Sequence, residues 1–203
     1  MRKLITLFFD IGGVILTNGW DNVARTKAAE HFKIDYNEFE ERHQKHFQDF
    51  EKGNLSLVKY LDQTIFYTKR RFTRYEVIKF MESMSEAHDS SIDILRRLNE
   101  DKNYYIASIN NESYELNLYR IRNFNLEKYF DAFFSSCFLK ARKPDAEIFE
   151  NVLNILQRNP SECLFIDDRE ENIEGAKKVG LNAIHLDDVK KLENILTQNG
   201  IKF

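Results

Sequence analysis

The chain is poor in the residues that shape folds by constraint. Among 203 residues there are two cysteines, two prolines and seven glycines. Cys137 and Cys163 cannot form a disulfide framework or a zinc site of cysteine ligands, and each sits among apolar neighbours, as a small core residue does. Unpaired thiols imply a reducing, cytoplasmic setting. So little proline and glycine, with no Gly/Ser tract, excludes a long linker and implies short loops. A large charge of one sign is also missing. The 30 Lys and Arg stand against 33 Asp and Glu, a net charge of −3, which offers no footprint for nucleic acid and no polybasic membrane patch. No apolar run approaches the roughly 20 residues of a membrane span. The opening "MRKLITLFF" imitates a secretory leader, but Asp10 interrupts it and no small-residue cleavage site follows. The expectation is a cytoplasmic protein with neither a nucleic-acid nor a membrane partner.

What is present is core material. With 42% apolar and 31% charged residues, the chain has the composition of a globular protein, long enough for one good core and a smaller appended unit. Three short apolar runs, "LITLFFD", "NYYIASIN" and "CLFIDD", have the form of buried parallel strands that end in polar residues. "AFFSSCF" (132–138) and "NAIHLDD" (182–188) read as two more strands. Helical patterns lie between them. "SSIDILRRLNED" follows a serine N-cap and sets Ile92, Leu95 and Leu98 on one face; "PDAEIFENVLNIL" carries Pro144 in its first turn; "REENIEGAKKVG" ends at Gly180. Strands alternating with helices predict a doubly wound, mainly parallel α/β sheet. Residues 16–88 break the rhythm with four helical patterns and no strand. They predict a helical insertion standing over the carboxyl ends of the strands, where such sheets bind ligands.

Four features converge on that edge: Asp10, the Ser108/Asn110/Asn111 stretch, Lys143, and the pair Asp167–Asp168. Each alone has a plain explanation. Asp10 can cap a turn, Asp167–Asp168 suit a helix N-terminus, Lys143 can be a solvated loop cation, and Asn110–Asn111 are turn formers. Together, clustered carboxylates call for a cation, and oxygen ligands of this kind suit magnesium. A lysine beside them holds an anionic ligand, and a carboxylate facing a phosphate is a nucleophile.

The stretches "FFDIGGVIL", "IASINNES", "ARKPDAEIFE" and "LFIDDREENIEGAKKVG" resemble the four sequential motifs of the haloacid dehalogenase superfamily. The resemblance covers the first strand and residues from about 90 to 187, with 1–15 and 89–203 as the core and 16–88 as an inserted helical cap. It implies Asp10 as nucleophile and Lys143 as the lysine that stabilises phosphate and carboxylate. It further implies a magnesium ion held by Asp10, the Gly12 backbone carbonyl, Asp167 and Asp168, and a phosphatase or phosphotransferase acting on a small phosphorylated metabolite.

Two departures qualify this. Most phosphatases of the family carry a second Asp two residues after the nucleophile, where this chain has Gly12; a general acid/base is worth about 10² to 10⁴ in rate. Where the family has Ser or Thr before an Asn, the alignment places Asn110, whose amide can donate to a phosphoryl oxygen; Ser108 is the substitute on the same strand face. A weakly active or inactive relative that binds a phosphorylated ligand or partner is therefore the alternative. A metal-independent dehalogenase is a further one, since halide leaves without a proton, but the acidic pair argues for metal. His43 and His46, three apart on a helix, lack a third metal ligand and read as a polar face of the insertion. Phe39, Phe47 and Phe50 read as helix packing, and "KRRFTR" (69–74) as a solvated basic turn. Trp20 reads equally as a substrate contact or an anchor between insertion and core.

Overall fold

The computed structural model describes residues 5–101 and 103–202. Leu4 of the expected first strand and the basic start of the chain lie outside them. The first strand, β1 (Ile5–Phe9), is followed by a tight turn and four helices: α1 (Asn22–Phe32), α2 (Tyr36–Glu51), α3 (Leu57–Thr64) and α4 (Arg74–Ser83). Then come α5 (Asp89–Asp101), β2 (Tyr104–Asn110), α6 (Tyr114–Asn123), β3 (Ala132–Ser135), α7 (Ser136–Leu139), α8 (Ala146–Leu156), β4 (Cys163–Asp167), α9 (Glu170–Lys178), β5 (Asn182–His185) and α10 (Leu192–Gln198).

The five strands form one parallel sheet in the order β3-β2-β1-β4-β5. The two faces of β1 explain its unbroken apolar run. Leu7 and Phe9 enter a cluster with Leu95 and Leu98 of α5 and Leu192 and Leu196 of α10. Phe8 enters the opposite cluster with Ile148 and Phe149 of α8 and Ile173 of α9. With helices on both faces, alternate residues find apolar partners on either side, and Thr6 is the one polar side chain buried within the strand. Strand order reverses between β1 and β4, so the ends of these two strands flank the crevice where such sheets bind ligands.

Helices α1 to α4 have a core of their own, built on Ala28, Phe39, Phe50, Tyr60, Leu61, Val77 and Met81. Local signals set their ends. Asp21 accepts from the Ala24 N–H and Asp35 from the Glu38 N–H; Thr73 and Glu76 form a reciprocal capping box. Among the described residues no helix is long and apolar enough to cross a membrane.

Several local expectations are corrected. Helix α5 begins at Asp89, with the His88 carbonyl accepting its first bonds, so the serines lie inside the first turn and cap nothing. Pro144 precedes α8, whose N-cap is Asp145, and follows a cis Lys143–Pro144 bond. The stretch 132–138 is a strand only to Ser135. Ser136 then opens a one-turn helix, its hydroxyl donating to the Glu51 carbonyl and accepting from the Glu112 N–H, contacts an extended continuation would forfeit.

Candidate active site at the carboxyl edge of the sheet

Asp10 stands one residue beyond β1, its N–H still donating to the Ile166 carbonyl at 2.9 Å, so the ladder delivers the side chain to the crevice. Asp167 ends the neighbouring β4, and Asp168 follows it. One oxygen from each of these three carboxylates lies within 4.8 Å of the others. Lys143 reaches into the cluster, Nζ lying 3.0 Å from Asp10 Oδ2 and 2.6 Å from Asp167 Oδ2. Burial above all pushes the Asp10 carboxyl up; with Lys143 pulling it down and Asp167 and Asp168 adding to the rise, the balance stands at about 7. Burial by itself would lower Lys143, but Asp10 and Asp167 outweigh it and hold the ammonium above its ordinary range.

The other expected residues are not gathered in the same way. Asn111 clamps the Lys143 backbone: its Nδ2 donates to the Lys143 carbonyl and its Oδ1 accepts from the Lys143 N–H, both at 2.9 Å. Asn110 and Ser108 turn into the sheet. Asn110 Nδ2 donates to Asn117 Oδ1 at 3.0 Å, and its Oδ1 takes the Ser108 and Ser135 hydroxyls. One N–H of the amide expected at a phosphoryl oxygen is thus committed elsewhere. The alternation that gives residues 108 and 110 one strand face carries both away from the crevice, and Asn111 is the one that lines it.

Above this edge is a cavity of about 290 Å³, walled by Asp10 and Lys143 below and by Trp20, His43, Phe47 and Glu51 of the helical unit. Phe47 is therefore not helix packing alone: it faces the cavity with the Arg142 guanidinium 5.2 Å from its ring; Phe50, in the core of the helical unit, also reaches the cavity wall, whereas Phe39 is packed away from it. Trp20 lines the cavity and anchors inward, donating to the Tyr60 hydroxyl at 2.9 Å.

A family model for haloacid dehalogenase-like hydrolases matches residues 6–180. The chain belongs to this family. Among its relatives, the D-ribitol-5-phosphate phosphatase of Bacteroides thetaiotaomicron is 27% identical over 186 residues, 86% of this chain and 87% of that protein. Flavin mononucleotide hydrolase 1 of Arabidopsis thaliana is 28% identical over 153 residues, 75% of this chain and 61% of that protein. A sesquiterpene phosphatase of Aspergillus oryzae is 41% identical over 59 residues, and the match spans 29% of this chain and 30% of that protein. In the last two cases the chain covers less than two thirds of the relative's length. Among solved structures, a haloacid dehalogenase family enzyme from Bacteroides thetaiotaomicron, crystallised as a magnesium complex, superposes with a TM-score of 0.77 at 22% identity, covering 90% of this chain and 93% of that one.

In this haloacid dehalogenase-like hydrolase the donor set fits a divalent cation, and the three acids differ in what they have left to give. Asp167 is saturated: Oδ1 accepts from the Arg169 N–H and from Asn172 Nδ2, and Oδ2 from Lys143. Asp168 Oδ2 accepts from Asn18 Nδ2 at 3.0 Å, but its Oδ1 is buried with no partner. A buried carboxylate oxygen without a donor is costly unless a cation meets it. Gly13, at φ 73°, makes room for it, because a Cβ there would lie 2.1 Å from Asp168 Oδ2. At Gly12 a Cβ would meet the tip of Asn18, 2.9 Å away, so that residue's amide fills the space beside the glycine.

Sequence reasoning missed a buried ion pair in the cavity wall. Arg120 NH1 lies 3.1 Å from Glu112 Oε2, and NH2 donates to the Thr17 carbonyl at 2.6 Å, tying α6 to the loop after β1. Burial pushes the Glu112 carboxyl up and Arg120 pulls it down, with the balance upward. No local pattern marks this pair, since its partners meet only through the fold. Arg142, paired with Glu51 at 2.8 Å, was missed although it adjoins Lys143. In "KRRFTR", Arg70 donates to the Ile65 carbonyl and Arg74 pairs with Asp62, contacts that close a surface turn.

Proposed function

We propose that the chain is a magnesium-dependent phosphatase acting on a small phosphorylated metabolite through an aspartyl-phosphate on Asp10. The observation that carries the reading is the set of three carboxylates, two buried and one half-buried, around one buried ammonium, with Asp168 Oδ1 left without a donor. Asp10, the Gly12 carbonyl and Asp168 would hold the metal, with Asp167 fixing Lys143 and Arg169 behind them. Bound there, magnesium would neutralise charge on the phosphoryl oxygens. One Asp10 oxygen attacks phosphorus in line; the ester bond breaks, its electron pair leaves with the alcohol oxygen, and water then hydrolyses the acyl phosphate. Lys143 holds a phosphoryl oxygen and keeps Asp10 oriented. The helical unit of 16–88 serves as a lid that narrows the cavity and selects the leaving group.

With glycine at position 12, no carboxyl group follows Asp10 to protonate the leaving oxygen, so esters of acidic alcohols turn over faster than alkyl esters. The same observation, together with the committed Asn110 amide, supports a second reading: a weakly active or inactive relative that binds a phosphorylated ligand. The kinship with phosphatases favours the first. The deciding experiment is phosphate release from a panel of phosphorylated metabolites with and without magnesium, for the wild type and Asp10→Asn. Metal-dependent release lost in the variant is the expected result. No release from any ester, with phosphate still bound in magnesium, would establish the second reading.

A further inference from the structure

His43 lies on α2, 7% exposed, with its ring in the cavity wall. Its Nδ1 is 2.8 Å from the Tyr60 hydroxyl, which is fully buried and also accepts from Trp20 Nε1 at 2.9 Å. An indole N–H only donates, so Trp20 occupies one lone pair of the Tyr60 oxygen. Among the described residues the acceptor set at hydrogen-bond geometry for the phenol's own proton is His43 Nδ1, since the nearby Thr64 hydroxyl is turned to the Tyr60 carbonyl, 2.8 Å away. Burial raises Tyr60 far above its usual range, so that proton stays in place. Phe50 stacks on the Tyr60 ring at 4.0 Å and fixes its orientation. If Nδ1 accepts, the imidazole's proton must sit on Nε2.

Among the described residues Nε2 has no hydrogen-bond partner, and it is not sealed from solvent. A second proton on the ring is opposed by burial and then by the nearby Arg25 guanidinium, itself held by Glu40 and the Trp20 carbonyl. The Phe47 ring lies beside the imidazole, centroids 5.6 Å apart, and also faces the cavity. An aromatic face next to a fixed N–H donor suits a carbon chain that presents C–H bonds and hydroxyl oxygens side by side.

We propose that His43 is a specificity-determining residue, a neutral imidazole holding its proton on Nε2 and donating it to a hydroxyl oxygen of the ligand's carbon chain, so that the site takes sugar or polyol phosphates. The proposal rests on the phosphomonoester reading of the cavity, and it goes beyond it by naming the leaving group and the residue that reads it.

Two measurements test it without requiring turnover. In long-range ¹⁵N–¹H spectra of the wild-type protein near pH 7, His43 gives a pyridine-type Nδ1 and a pyrrole-type Nε2; the reverse pattern, or a protonated ring, overturns the proposal. In calorimetric titrations with magnesium, on an Asp10→Asn background, His43→Phe weakens ribose 5-phosphate and glucose 6-phosphate about tenfold more than phenyl phosphate, which has no hydroxyls, the scale of one neutral hydrogen bond. His43→Gln, which keeps an N–H donor, restores most of the difference. An unchanged ratio in both variants overturns the role. If the wild type releases no phosphate from any ester, the phosphatase reading falls, while these titrations still decide whether His43 reads hydroxyls.

Discussion

The edge of the sheet and the helical unit above it bury polar groups by opposite means. At the edge the groups are ionisable: the buried Lys143 ammonium lies within 3.0 Å of an oxygen of both Asp10 and Asp167, themselves buried, and the carboxylates outnumber the ammonium. In the helical unit the Trp20–Tyr60–His43 chain is neutral from end to end, every proton assigned by hydrogen-bond geometry. An ionic cluster with surplus charge is primed to take a cation and an anionic ligand, and it is stable as long as its counter-charges stay in place. A neutral network carries no such surplus; it holds shape and offers a donor. Under the proposed function, chemistry belongs to the first region and selection to the second.

The comparison breaks most visibly at Asp10. Asp10→Asn keeps the side chain's shape and removes its charge, so turnover in a phosphate-release assay is expected to fall by roughly 10³-fold or more with the melting temperature almost unchanged. Lys143→Met removes the one ammonium. Calorimetric unfolding without metal should show a loss of about 3 to 5 kcal/mol, the effect of stranding buried like charges, and magnesium should recover part of it. A stability unchanged by Lys143→Met would mean that the cluster is not ionic.

The neutral network is sharpened by pH. His43 is pulled down to about 4 by burial and by Arg25 of α1, against Glu40 on its own helix, while Tyr60 of α3 faces it uncharged. An unfolded-chain histidine titrates near 6.5, so as pH falls the unfolded state takes up the proton first. The contribution to stability is full above about pH 6.5 and is lost progressively toward pH 4, by at most about 3 kcal/mol. Denaturant unfolding of the wild type against His43→Gln between pH 7 and 4 checks this, and parallel profiles would remove the assignment. The smallest effect is expected at Gly12→Asp. Its Cβ needs the flexible tip of Asn18 to move, after which a carboxyl stands beside Asp10. Alkyl phosphate hydrolysis should rise about tenfold, with less change for p-nitrophenyl phosphate, whose leaving group needs no proton.

Much of the architecture was legible along the chain. Residues of β1 and β4 are apolar at nearly every position, Thr6 and the terminal Asp167 excepted, because both faces are covered, and helix ends such as Asp21, Asp35 and Thr73–Glu76 carry their own caps. Those signals are local. The gathering of Asp10, Lys143 and Asp167–Asp168 was legible for a related reason: strand ends in a parallel sheet share one edge, whatever the details of packing. The serines at the start of α5 misled because a cap depends on where the preceding turn leaves the chain, here at His88. Phe47 was misjudged because a helical stripe gives direction but not what lies opposite.

The sequence by itself determined the strands, the helices and the edge to which the charged residues go, since each follows from periodicity, burial and capping among near neighbours. Tertiary structure alone decided that Asn111 faces the crevice while Asn110 is spent on Asn117, that Glu112 meets Arg120, and that Asp168 keeps an oxygen without a donor. It also set the environment from which the tautomer of His43 is proposed, because the imidazole meets the Tyr60 hydroxyl that Trp20 donates to, residues brought together only when three segments of chain pack.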